Sequence, residues 1–121
     1  MDWMSGLTVS GPFEVIAATT MVMRCVDAQK AHRLSRALAD CRGVTGPVSV
    51  ADRYSFGVHV AELHLEHLFD TKEKLKVAFV GTPAVIDPGR LGETVAVNRG
   101  ADVKATTDMQ EALAWLGVDP E

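Results

Sequence analysis

The sequence predicts an α/β domain built on a mixed, mainly parallel β-sheet of four to five strands, with about four helices packed against it. Three features point there. Stretches of strand length alternate along the chain with segments whose apolar residues recur at the helical period. The run Lys76 to Gly81 (KVAFVG) is continuously apolar up to its glycine, which suits a central strand covered on both faces. Strands that alternate with helices are joined by crossovers, and a crossover connects parallel neighbours.

Residues 1–12 mix Trp3, Leu7 and Val9 with Gly6, Gly11 and Pro12, and read as an irregular lead-in or an edge strand ending in a turn. Phe13 to Ala17 and Met21 to Val26 are apolar and β-branched, which predicts two strands paired as a hairpin, the antiparallel portion of the sheet. Asp27 is placed to cap a helix on which Ala31, Leu34, Leu38 and Cys41 share a face, with Gly43 as the stop. Val48 and Val50 alternate with Ser49 and Ala51, predicting a strand to about Tyr54 that breaks at Ser55 to Gly57. A helix from Phe56 to Phe69 gathers Val58, Ala61, Leu65, Leu68 and Phe69 on one face. Val60 and Leu63 fall off that face and are read as exposed apolar residues for a subunit contact.

After the connector Thr71 to Lys74 and the central strand, Asp87-Pro88 opens a helix that runs towards Asn98 and ends at Gly100. Asp102 to Thr106 is a short strand. Thr107, Asp108, Gln110 and Glu111 then provide overlapping caps for a last helix with Met109, Ala112, Leu113 and Leu116 on its apolar face, closed by Gly117. At 121 residues the chain suits one domain, read as 13–121 with 1–12 as its lead-in.

Composition narrows the function. The net charge is −4 and the cationic residues are scattered, so a phosphate-tracking stripe for nucleic acid is missing. No apolar run approaches the ~20 residues of a membrane span, and residues 1–11 lack the basic start and apolar core of a secretory signal. A cytoplasmic location is expected, with Cys25 and Cys41 as buried free thiols.

KLKVAFVG at Lys74 to Gly81, ETVAVNRGADV at Glu93 to Val103 and TTDMQEALAWLG at Thr106 to Gly117 resemble the STAS-like family, which includes anti-sigma-factor antagonists and many small uncharacterised bacterial proteins. The likeness covers about the last 110 residues in layout and the last 45 in wording. It implies a STAS-like fold and a regulatory role. In the antagonists a phosphorylatable serine sits in an Asp-Ser-Ser-Gly turn at the start of a helix. The corresponding stretch here is Asp52-Arg53-Tyr54-Ser55-Phe56-Gly57, in which that motif is not intact, and Ser55 is the residue the resemblance points to as a phospho-acceptor. A helix N-terminus would favour such a phosphate, although serine there is commonly a plain cap.

Other constellations are weaker. His59, Glu62, His64, Glu66 and His67 crowd one helix, but His64 points away from the side shared by His59, Glu62 and Glu66, so a solvated face is preferred to a metal site. Gly81-Thr82-Pro83 follows the central strand, at the carboxyl edge where α/β sheets bind ligands, without a phosphate-loop signature. No serine or cysteine lies in a nucleophile elbow. The expectation is a non-enzymatic regulatory or protein-interaction module, homodimeric, with no cofactor. The alternative is a carrier or sensor of a small apolar ligand held near Ser55, Gly57, Gly81 and Thr82.

Overall fold

A computed structural model describes residues 4–32, 35–46, 48–71, 75–86 and 91–117. Along the chain run β1 (Met4–Pro12), α1 (Val15–His32), β2 (Arg36–Thr45), α2 (Val50–Thr71), β3 (Lys76–Gly81), α3 (Leu91–Asn98), β4 (Asp102–Thr106) and α4 (Met109–Leu116). The strands pair in the order β1-β2-β3-β4, every neighbour parallel, with Ala39 opposite Phe79 and Phe79 opposite Ala105. The α/β class, with four strands and four helices, is as the sequence predicts.

Parallel neighbours taken in chain order, each joined by a right-handed crossover, place their connecting helices on one side of the sheet. The side chains bear this out. Ala37, Ala39 and Cys41 of β2, Val77 and Phe79 of β3 and Val103 of β4 share a core with Met21, Val22, Cys25 and Val26 of α1, Val60 and Ala61 of α2 and Ala96 of α3. The alternate residues Ala78 and Val80 face the other way, against Ala112 and Leu116 of α4. Where α4 does not reach, β2 carries an exposed ion pair, Asp40 to Arg42 at 2.7 Å.

The N-terminal half departs from the sequence reading. The expected hairpin, Phe13 to Ala17 with Met21 to Val26, is mostly α1, and the antiparallel portion of the sheet disappears with it. Met21, Val22, Cys25, Val26 and Gln29 form its buried stripe, and Thr20 satisfies its hydroxyl on the Ile16 carbonyl at 2.8 Å. An apolar, β-branched run of this length suits a buried helix or a strand equally, and tertiary packing decides. The helix expected from Asp27 to Cys41 is instead the end of α1 followed by β2, in which Ala37, Ala39 and Cys41 alternate inward. Small inward residues gave that strand a faint signal. The strand expected from Val48 to Tyr54 is largely the first turns of α2, where the Ser49 hydroxyl accepts the Asp52 N–H at 3.0 Å.

Elsewhere the local chemistry is as anticipated. Residues 4–12 form an edge strand. It shifts register between Thr8 and Ser10, where Gly43 passes so close that a Cβ there would stand 2.9 Å from the Ser10 Cβ. Gly100, at φ +100°, follows the last turn of α3, and Asp108 caps α4 by accepting the N–H groups of Gln110 and Glu111. Asp87, Pro88 and the connector 72–74 lie outside the described residues. Among the described residues no helix is long and apolar enough to cross a membrane.

Candidate functional site

The start of α1 and the start of α2 lie over the carboxyl half of the sheet, and small residues line the space below them: Ala17 and Ala18 on α1, Gly57 on α2 and Ala105 on β4. Side chains of that size cannot fill the gap between helix and sheet. A cavity of about 160 Å³ results, partly open to solvent beside the exposed Ser10, Pro12, Glu14 and Ala17.

Its walls are mostly apolar. Phe13, Phe56 and Phe79 line it in a chain of edge-to-face contacts, with centroids 5.8 Å apart for the first pair and 5.9 Å for the second. Val9, Met21, Val44 and Val60 continue the apolar lining. Val85 and Ile86 come from the turn after β3, in which the Thr82 carbonyl accepts the Val85 and Ile86 N–H groups at 3.0 and 2.8 Å. Arg53 ties that turn to α2 by donating to the carbonyls of Ala84 and Val85. The remaining polar lining includes Ser10, Glu14 and Glu93. One carboxylate oxygen of Glu93, Oε2, is buried and accepts no hydrogen bond among the described residues.

Of the residues expected at a ligand edge, Gly57 lines the cavity and Ser55, Gly81 and Thr82 do not; Val60 and Cys41, singled out from sequence for other reasons, line it as well. Gly81 and Thr82 stand behind it. Thr82 holds the turn that delivers Val85 and Ile86, and Gly81 leaves room for Ile86, whose Cγ1 would lie 3.1 Å from an added Cβ. Ser55 is the sixth residue of α2, beyond the free N–H groups of the first turn, so the argument from a helix N-terminus does not apply to it; Ser49 holds the capping place. Val60 is 2% exposed and belongs to the core, and Leu63 is half-buried against that core. Val60 therefore is not the exposed residue expected of it, and Leu63 is only partly exposed, because α2 begins earlier than expected and its inward stripe is Gly57, Val60, Ala61 and His64.

That stripe also divides the histidine-rich segment. His64 is buried and its Nδ1–H donates to the Val60 carbonyl at 2.9 Å, whereas His59 is exposed and bonds the Ser55 carbonyl at 2.6 Å. The side chain of His67 lies outside the described residues. Among the described residues no three His, Cys, Asp or Glu side chains gather as a metal site would require.

The two thiols are held neutral. Burial raises Cys25, and burial, reinforced by the Asp40 charge and by Cys25, pushes Cys41 up to about 12. A thiol in that state is a poor nucleophile, so Cys41 contributes to the cavity wall as a small apolar group. Residues that sequence reasoning missed are Ala17, Ala18, Phe13, Arg53 and Glu93. The Ser-x-x-Asp pattern at Ser49 to Asp52 is a capping signal that would have started α2 correctly and set Arg53, Phe56 and Gly57 in its opening turns.

Comparison with protein-family models, with curated proteins and with solved structures found no match to this chain.

Proposed function

We propose that the protein is a non-enzymatic carrier or sensor of a small apolar ligand, bound in the cavity beneath the starts of α1 and α2. The observation that supports this reading is the preformed apolar space of about 160 Å³ among Phe13, Phe56 and Phe79. An apolar cavity of about 150 Å³ in another protein stays dry and takes up benzene. A single aromatic ring or a short alkyl chain is therefore the matching size. An apolar ligand seated there removes its own surface and that of the three rings from water.

Toluene, titrated into the protein and followed by NMR, is expected to shift the Phe13, Phe56, Phe79 and Val60 signals saturably, with a Kd on the order of 1 mM or tighter. Gly57→Leu places a side chain in the same space and is expected to abolish those shifts while the fold is retained. If the wild-type signals do not move up to the solubility limit of toluene, the reading is wrong.

A second reading is a STAS-like regulatory module that binds another protein or a second copy of itself. It is supported by Ile16 and Val50, at the starts of the same two helices, which are 83% and 70% exposed. Ile16→Asp with Val50→Asp is expected to shift native mass spectra from dimer to monomer. A wild-type protein that is monomeric at tens of micromolar, and binds no partner, counts against this second reading.

A further inference from the structure

We propose that the ligand is an amphiphile held by one end: an apolar terminus of one ring or a short chain sits in the cavity, and the hydrated remainder of the molecule leaves through a mouth formed by residues 10–17. This rests on the carrier reading and deepens it to a ligand class. Exposure divides the lining into two zones. Ser10, Pro12, Glu14 and Ala17, from the end of β1, the link after it and the first turn of α1, are the exposed members of the lining among the described residues. Met21, Gly57, Val60, Phe79, Ala96 and Val103 are buried and close the inner end.

The mouth is part of the built fold. Gly11 and Pro12 lie opposite Val44 and Thr45 of β2, and the Phe13 N–H donates to the Thr45 carbonyl at 3.1 Å, so the rim is fastened to the sheet. None of the six residues at the inner end carries a polar side chain, and a polar group set among them would lose its water. At the mouth Ser10 and Glu14 are themselves exposed, and a polar group there keeps its hydration. An apolar end inside with a polar end in water is therefore the arrangement of lowest desolvation cost. A wholly apolar molecule longer than the cavity would leave its surplus surface in water, and a molecule polar at both ends would have to strip one of them. The site reads the apolar terminus, and the part outside is constrained only to be hydrated.

Uncharged probes test this: toluene, and tetraethylene glycol ethers that carry a benzyl group or an n-alkyl group of increasing length, each titrated into the full chain by NMR. The benzyl ether is expected to bind as tightly as toluene to within about threefold, or more tightly, since its tail stays outside. Along the alkyl series the Kd is expected to tighten by up to about fourfold per methylene while the cavity fills, then to level off as further methylenes reach the mouth. A benzyl ether with a nitroxide at its far end is expected to broaden the amide signals of Gly11, Glu14 and Ala17 more than those of Ala96 and Val103. Gly57→Leu, which obstructs the inner end, is expected to abolish binding of toluene and of the benzyl ether alike. A benzyl ether weaker than toluene by more than that margin, an affinity that drops once the chain outgrows the cavity, or broadening strongest away from residues 10–17 overturns one-ended binding and leaves the carrier reading standing. Failure of toluene and of every ether to bind the wild type, or binding that survives Gly57→Leu, overturns both.

Discussion

On the α4 face, Ala78 and Val80 of β3 meet Ala112 and Leu116, all four at most 1% exposed, and the helix is fastened at both ends. Asp108 and Gly117 cap it, Lys76 donates to the Trp115 carbonyl at 3.0 Å while lying over its ring, and Lys104 pairs with Glu111 at 3.2 Å. On the opposite face three helices cover the sheet, yet a space of about 160 Å³ stays open under the first turns of α1 and α2. The face with one short helix buries its contact residues completely. Side-chain size at the contact distinguishes the faces more than the amount of covering structure: Leu116 is buried against the sheet, whereas Ala18 and Gly57, over the cavity, carry little or no side chain to fill it. A fold of this size can hold a ligand-sized void where one edge of a core is lined with small residues and the remaining core holds the frame rigid.

The contrast between the faces can be broken by substitution. Leu116→Ala is expected to cost about 3 kcal/mol in urea denaturation, because a well-packed site cannot collapse around the lost atoms. A loss below about 1 kcal/mol would mean that the α4 face has slack of its own and that the contrast fails. Cys41, on the cavity side, sharpens it in another way. Its folded-state thiol is raised from 9.0 to about 12, so the stability linked to its neutral form is complete below about pH 9 and is lost as pH climbs towards 12. Cys41→Ala is expected to flatten that alkaline decline in thermal-unfolding scans from pH 8 to 11. If the wild type shows no such decline that Cys41→Ala removes, water reaches the thiol and the cavity wall is looser than its burial implies. Asp108→Ala removes the cap of α4 and is expected to cost about 1 kcal/mol, read by the same denaturation. A negligible change would leave side-chain packing alone holding that helix.

Legibility fell along the same division. Everything the α4 face needs is written locally: the continuous apolar run of β3, the caps at Asp108 and Gly117, and the spacing of Ala112 and Leu116. The cavity face depends on α1, β2 and the start of α2, and there the local signals mislead. Val15 to Val26 is apolar and β-branched in a helix; Ala37, Ala39 and Cys41 are a strand's inward residues without bulk; Val48 and Val50 mimic strand alternation just where Ser49 caps α2. Placing Ser55 before a helix, instead of within one, follows from that last error, as does setting Val60 on the surface. The cavity lies at the carboxyl ends of the strands, where a ligand edge was expected, and Gly81 and Thr82 support its wall without forming it.

The sequence by itself determined the α/β class, the central strand, the final strand and the capped last helix, because each of these rests on contacts within a few residues or on periodicity along one element. Tertiary structure alone decided that the sheet is parallel throughout, that Val60 is core, and that Phe13, Phe56, Phe79 and Glu93 surround one space. A void exists only between elements, where the sizes of residues distant in the chain are compared with one another, and no local pattern carries that comparison.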